Sequence, residues 1–268
     1  MDQLDKWLFS SPSTDGFHKV ISPNNSDCKV SWIFRLNLPK NHSYTIDSNN
    51  LELNGIVIKG KIQIYYGSKE YSLGYLDSLY IPGNSKVKIS AVDDLIMYIG
   101  GGPYEGIGNF FIRKYSATVP IGNIYQVHGK KPYKREVFFT LNPEVPASRL
   151  LCGITRGEPG GWTSWPPHQH SQDLEEVYCY FNLQKPQSVF HISYRFPGKI
   201  ERVHTISDGD FVIIPEGYHP TIAMPGIRST YFWVMSAFSH KSRRFDLAIP
   251  DTSFWDDPSK DIFSSNKV

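Results

Sequence analysis

Short apolar runs with a period of two, cut by Gly, Pro, Asn or Asp roughly every eight to twelve residues, commit this chain to sheet. Ile56-Val57-Ile58-Lys59-Gly60-Lys61-Ile62-Gln63-Ile64-Tyr65-Tyr66 reads as two β runs around a glycine, and Ser78-Leu79-Tyr80-Ile81 as a strand stopped by Pro82-Gly83. Val87-Lys88-Ile89-Ser90 and Leu95-Ile96-Met97-Tyr98-Ile99-Gly100 continue the series. No helical pattern is sustained over about twelve residues, and only residues 239–245 have room for a helical turn. The expected class is all-β, a sandwich or barrel.

The plan is written twice. Phe190-His191-Ile192-Ser193-Tyr194-Arg195, Glu201-Arg202-Val203-His204-Thr205, the run 210–214 and Thr230-Tyr231-Phe232-Trp233-Val234-Met235 read as strands of a second half. Asp77-Ser78-Leu79-Tyr80-Ile81-Pro82-Gly83 looks like a partner of Gly209-Asp210-Phe211-Val212-Ile213-Ile214-Pro215-Glu216-Gly217. Two related barrels in tandem explain this most simply. The expected division is an N-terminal unit over 1–105, a bridge over 106–145, and a C-terminal unit with its tail over 146–268. The bridge is bounded by Gly100-Gly101-Gly102-Pro103 and Asn142-Pro143-Glu144-Val145-Pro146.

With 268 residues, 40% of them hydrophobic, the chain can bury a sizeable core. A net charge of +2 with acids and bases interspersed argues against a nucleic-acid partner. The nearest basic run, Lys130-Lys131-Pro132-Tyr133-Lys134-Arg135, is broken by proline and reads as a solvated loop, with Lys131 and Lys134 at the surface. Cys28, Cys152 and Cys179 have neither metal-like nor paired spacing, which fits buried free thiols in a reducing compartment. Met1 leads into Asp2-Gln3-Leu4-Asp5-Lys6 without an apolar leader, and no stretch approaches eighteen apolar residues, so a cytoplasmic protein without a membrane partner is expected.

The two halves differ in chemistry. Residues 165–220 hold His168-Gln169-His170, Glu175-Glu176 a few residues on, and His219 after Pro215-Glu216-Gly217. A His-x-His pair on a strand puts both imidazoles on one face. A nearby carboxylate and a third imidazole at a Pro-x-Gly turn complete a three-nitrogen, one-oxygen set suited to one divalent metal ion, zinc first, with manganese or iron as alternatives. An isolated His-x-His is usually an inert surface pair; it is the company of Glu175-Glu176 and His219 that turns it into a site. The residue count after His170 favours Glu175 as the oxygen ligand, and strand alternation favours Glu176. The first half, with Asn84-Ser85-Lys86 after its Pro82-Gly83 and no His-x-His, should be free of metal. Arg135, Arg156, Arg202 and Arg228 are candidates to grip a carboxylate through a two-pronged hydrogen bond, against the commoner reading of each as a solvated charge. His128, His191 and His240 have no partner pattern and read as structural or exposed.

These residues resemble the cupin superfamily, whose motifs run approximately G-x5-H-x-H-x3–4-E-x6-G and G-x5-P-x-G-x2-H. Gly161 to His170 represents the first, one residue longer before its first histidine; Gly209-x5-Pro215-x-Gly217-x-His219 represents the second, one residue shorter. More closely, the chain is similar to the 5-deoxy-glucuronate isomerase family of inositol catabolism, related to 4-deoxy-L-threo-5-hexosulose-uronate ketol-isomerase. The supporting stretches are Gly160-Gly161-Trp162-Thr163-Ser164-Trp165-Pro166-Pro167-His168-Gln169-His170, Leu174-Glu175-Glu176-Val177-Tyr178 and Gly217-Tyr218-His219-Pro220. The likeness covers most of the chain and is specific over about 135–236. It departs in a shorter loop after His170, in His204 where an aromatic is expected, and in the tail after Ser236.

The resemblance implies a tandem cupin, or bicupin, fold of β-barrels or jelly rolls with a degenerate first barrel. It implies metal ligands His168, His170, Glu176 and His219, since the family pattern Glu-Val-Tyr sends Glu176, Tyr178 and Tyr180 inward together. It implies an aldose–ketose isomerase of a deoxy-uronate, with the metal polarising the carbonyl and a base shuttling the proton. Glu175, Tyr178 and Tyr218 are the expected catalytic residues. Arg135, Arg202 and Tyr180 are expected to bind the sugar acid, the first two because they lie in family-like stretches. A homo-oligomer is the expected assembly. The alternatives are a metal-dependent bicupin dioxygenase and a non-catalytic sugar-acid-binding bicupin.

Overall fold

Alternating side chains give each strand two faces, and among the described residues five sheets result: two sandwiches of two sheets each and a separate two-stranded pair. The computed structural model describes residues 3–254. An N-terminal sandwich packs a six-stranded sheet on a four-stranded one. The six-stranded sheet runs in the order Phe111–Arg113, Ser78–Ile81, Leu51–Lys59, Leu95–Pro103, Trp32–Leu38, Gly16–Ile21. A C-terminal sandwich packs a seven-stranded sheet on a second four-stranded one. Its large sheet runs Leu8–Ser10, Asp210–Ile214, Leu174–Tyr180, Thr230–Ala237, Leu150–Gly157, Arg135–Leu141, Tyr125–His128. The helical turn expected in 239–245 is a 3-10 turn at His240–Ser242. Among the described residues no helix is long and apolar enough to cross a membrane.

The repeat expected from Pro82-Gly83 and Pro215-Glu216-Gly217 is carried by the whole strand plan. The four central strands of each large sheet occupy the same places in the order. Leu53 pairs with Ile81 in the first sandwich, and Glu176 pairs with Ile214 in the second, each one residue before the proline. Leu53 and Glu176 are therefore equivalent positions.

Three large apolar clusters follow. One fills the N-terminal sandwich with Leu36, Leu53, Ile64, Val87 and Met97 among others. Another, rich in aromatics, fills the C-terminal one around Tyr178, Tyr180, Tyr231 and Trp233. The third lies between the two large sheets and includes Ile56, Tyr98, Cys152, Val177, Cys179 and Val234. Each fully buried Leu, Ile, Val or Phe there contributes about 1.5–3 kcal/mol, so the halves are fused through a core rather than tethered. All three cysteines are buried as free thiols.

The strand pairing redraws the expected boundaries. Gly100-Gly101-Gly102-Pro103, expected to bound the bridge, is the end of strand Leu95–Pro103. Its glycines answer a packing demand: a Cβ on Gly100 would lie 2.5 Å from Val234 Cγ2 of the other sandwich. Nor does 106–145 form a bridge of its own. Phe111–Arg113 pairs with Ser78–Ile81 in the first sandwich, while Tyr125–His128 and Arg135–Leu141 belong to the second. Leu8–Ser10, placed by sequence in the first unit, pairs with Asp210–Ile214 in the second. Each sandwich thus takes an edge strand from the segment that precedes the other. The tail beyond residue 254 lies outside the described residues.

Candidate metal centre and its cavity

Strand Leu174–Tyr180 settles which carboxylate faces where. Val177 and Cys179 point into the core between the large sheets, and Tyr178 and Tyr180 into the C-terminal sandwich. Glu176 shares the face of the tyrosines. Its Oε2 lies 3.1 Å from His170 Nε2 and 3.3 Å from His219 Nε2, with all three residues buried. One ligand atom from each of His170, Glu176 and His219 falls within 4.8 Å of the others. His168 is not part of that compact group, but its ring centroid is 4.9 Å from that of His219.

Each imidazole is oriented by its own backbone surroundings. Nδ1 of His168, His170 and His219 faces the carbonyl oxygen of Pro166, Leu174 and Gly217 at 2.9, 3.1 and 3.2 Å. A carbonyl only accepts, so Nδ1 carries the hydrogen and Nε2 is left with its lone pair. The turn that presents His219 needs Gly217, whose φ is 83° and where a Cβ would clash with the Tyr194 carbonyl. His168 sits on the two-residue strand His168–Gln169, paired with Ile249–Pro250.

The electrostatics match a cation site. Burial pushes the Glu176 carboxyl up, but its close contacts with His170 and His219 outweigh that and bring the group to about 2. Burial, with help from His219, brings His168 down to about 3, so it is a neutral donor near pH 7. His219 Nε2 is a buried atom with no hydrogen-bond partner among the described residues. Lone pairs converging on an ionised carboxylate repel one another unless a cation lies among them. Three imidazoles and one carboxylate therefore fit a divalent transition metal in donor type and protonation.

The group opens onto a cavity of about 980 Å³, walled by His168, Tyr178, Tyr231, Trp165, Arg135 and Phe245 among others. Arg135 Nη1 donates to the Trp165 carbonyl at 2.7 Å. Burial lowers the guanidinium from its ordinary value, and it remains cationic. Tyr178 Oη and Ser164 Oγ are 2.5 Å apart, and Tyr231 Oη is 3.4 Å from the same Oγ. Burial holds the Tyr178 and Tyr231 phenols above their usual range, so they are hydrogen-bond donors rather than phenolates. The same cavity thus offers donors for a cation, a guanidinium for a carboxylate, and phenol and serine hydroxyls.

Other expected site residues are not brought together. Glu175 faces away from the cavity, because alternation sends it to the opposite side of the strand from Glu176; it accepts the backbone N–H of Lys29 and Val30, each at 2.7 Å. It is therefore not placed to act as the base. Tyr218 stacks on Tyr194 at 5.0 Å in a separate cluster with Ile192 and Trp162, away from the cavity wall. Arg202 lies at the sheet edge with Nη2 2.9 Å from Asp5 Oδ1, outside the cavity. Tyr180 points inward but is deeper, with its Oη 2.8 Å from His191 Nδ1 and 3.0 Å from Thr221 Oγ1.

Conversely, Ser164, Tyr231, His128 and Lys130 reach the cavity although none was singled out as a site residue from the sequence. The expected solvated loop 130–135 supplies Lys130, Tyr133 and Arg135 to the wall. Tyr231 had one available signal, its position two residues from Trp233 on an inward-facing strand. Ser164 had one as well, its place in the stretch Gly160 to His170 that carries the resemblance. His191 is fully buried, and His240 Nδ1 meets the Ser148 carbonyl at 2.9 Å.

Comparison with known proteins gives a consistent picture. The family model described as KduI/IolB family matches residues 8–248. A 5-deoxy-glucuronate isomerase of Bacillus velezensis is 30% identical over 244 residues, covering 84% of this chain and 87% of that protein. Among solved structures, an IolB-like protein from Salmonella typhimurium LT2 superposes with a TM-score of 0.74 at 22% identity, covering 86% and 92% of the two chains. A cupin 2 conserved barrel domain protein from Leptotrichia buccalis gives 0.51 at 12% identity, covering 85% and 91%. The all-β architecture is of the cupin type.

Proposed function

The chain belongs to the KduI/IolB family, and from that premise we propose that it is an isomerase of inositol catabolism that converts 5-deoxy-glucuronate to 2-deoxy-5-keto-gluconate in the cavity beside His170, Glu176 and His219. The observation that carries this reading is the pairing, in one cavity, of a converging histidine–carboxylate group with the Arg135 guanidinium.

His170, Glu176 and His219, with His168 beside them, would hold the metal, and zinc is our first choice ahead of manganese or iron. A divalent ion bound there supplies Lewis acidity toward a carbonyl and its neighbouring hydroxyl. The remaining work falls to the protein. Arg135, fixed through the Trp165 carbonyl, takes the sugar carboxylate with a forked pair of hydrogen bonds. That contact sets which end of the open-chain sugar faces the histidines. Tyr178 Oη, kept protonated by burial, donates to the oxygen on which charge develops as the enediol forms. Trp165, Phe245 and Trp233 line the wall and keep water from competing for those donors.

The test is metal analysis of the purified protein followed by anaerobic incubation with 5-deoxy-glucuronate, read by NMR. Stoichiometric metal and accumulation of the ketose are expected. No ketose from metal-loaded protein sinks the proposal, and a requirement for oxygen would move the chain to an oxidative chemistry.

A further inference from the structure

Ser164 is the meeting point of two phenols, and nothing in metal binding or carboxylate binding explains it. Its Oγ is 2.5 Å from Tyr178 Oη and 3.4 Å from Tyr231 Oη. The two rings stack with centroids 4.1 Å apart and planes 21° from parallel. Ser164 has a φ of 49°, the left-handed region that side-chain-bearing residues avoid, so the loop holds this hydroxyl in place at a conformational cost. All three residues line the cavity, and all three are buried.

Three hydroxyls own three protons, and two contacts within the group use only two of them. When both bonds run the same way along the row, the third is presented at one end or the other. Reversing the direction of the two internal hydrogen bonds moves it from Tyr178 to Tyr231 or back. A row with that property takes a proton at one end while releasing one at the other.

We propose that Tyr178, Ser164 and Tyr231 form a hydroxyl relay that carries a proton from one oxygen of the bound sugar acid to the oxygen on its neighbouring carbon. The idea rests on the isomerase reading above. Aldose–ketose conversion moves a hydrogen between two carbons, and separately the hydroxyl at carbon 2 loses its proton while the oxygen at carbon 1 gains one. The relay performs the second transfer. The carbon 2 hydroxyl gives its proton to one tyrosine, that tyrosine gives its own to Ser164 Oγ, Ser164 gives its own to the other tyrosine, and the last proton goes to the carbon 1 oxygen. Four O–H bonds break and four form, no electrons leave, and every hydroxyl ends as it began. Tyr178 and Tyr231 touch the substrate; Ser164 acts through them.

The experiment compares the full-length, metal-loaded wild type with Ser164→Ala, Tyr231→Phe and the double variant, using kcat, KM, metal content, Tm, gluconate binding as an unreactive probe, and proton inventories in H2O/D2O mixtures. The relay requires kcat to fall about 10²-fold or more in each single variant. KM, metal content and gluconate affinity should stay within about threefold. The double variant should be no worse than either single one, since one break already stops the row. The curved inventory of the wild type should become linear in Ser164→Ala. Retention of kcat in Ser164→Ala within about threefold, or losses that multiply in the double variant, overturns the relay alone. A metal-loaded wild type with no ketose product overturns the isomerase reading and the relay with it. Should Tyr231→Phe not fold, Ser164→Ala and its inventory decide the question.

Discussion

At one step of one strand, the N-terminal sandwich has Leu53 opposite Ile81, while the C-terminal sandwich has Glu176 opposite Ile214. The residue before each is the same: Glu52 and Glu175, both fully buried and both turned toward the other half of the molecule. Glu52 accepts the backbone N–H of Ser148 at 2.7 Å, of Arg149 at 2.5 Å and of Leu150 at 2.6 Å, and the Tyr80 hydroxyl at 2.5 Å. Glu175 accepts Lys29 and Val30 N–H. Each sandwich therefore clamps the chain leading into the other's first central strand. The halves keep what joins them and differ in what fills them. The first spent its interior on aliphatic packing; the second keeps ionisable groups and aromatic hydroxyls around a cavity, which burial makes costly unless a cation and a substrate use them.

The sharpest way to break this comparison is to make the second half like the first. Glu176→Leu should remove metal retention and reduce isomerase turnover to background, while circular dichroism remains that of a folded β protein. His170→Ala should do the same. Full metal occupancy in either variant would mean that the ligand set is misassigned.

The two clamps come next. Glu52→Gln puts an amide N–H₂ among donors and should cost about 3 kcal/mol in urea unfolding, with metal affinity unchanged. Glu175→Gln, one residue from the proposed ligand Glu176, should also cost stability but in addition weaken metal binding by about tenfold as a supporting shell does. Equal effects on metal affinity from the two variants would remove the distinction between a clamp and a clamp that also aims a ligand.

Acid should separate the halves as well. In the C-terminal sandwich, burial brings His128 and His204 down to about 4 and His191 well below its ordinary value. Below pH 6.5 the unfolded chain binds protons at these positions that the folded chain refuses. Stability must therefore fall as pH drops from 6.5 toward about 4, by just under about 1 kcal/mol for each histidine at pH 6. In the N-terminal sandwich, His18 and His42 are not buried. Amide hydrogen exchange on metal-free protein at pH 6 should accelerate first in the C-terminal strands; uniform acceleration would contradict the assignment.

The smallest effect probes the seam. Gly100→Ala forces a methyl against Val234 and should cost about 2 kcal/mol, read as a lower denaturation midpoint. Val234→Ala in the same chain should recover part of it, which an unrelated defect would not allow.

Strand alternation made much of the site legible in the sequence. A period of two is a local property, so Glu176, Tyr178 and Tyr180 on one face and Val177 and Cys179 on the other follow from spacing alone. His219 followed from a Pro-x-Gly turn, because glycine at positive φ is likewise a local demand. Gly100-Gly101-Gly102 shows the opposite limit: glycine can mark a boundary or a close approach, and only the neighbouring sheet says that here it is a close approach. Arg135 and Arg202 were indistinguishable as strand-edge cations, yet one is turned into a cavity and the other toward Asp5.

What the sequence determined by itself was the sheet class and the doubled plan, since each depends on periodicity or on a turn within a few residues; between Glu175 and Glu176 it left two readings, count against alternation. Only the tertiary structure decided that Glu175 joins the halves, that Ser164 gathers Tyr178 and Tyr231, and that Arg135 lines the same cavity as His168 and His170. Those are contacts between strands far apart in the chain, and distance in space is information that no local pattern of side chains contains.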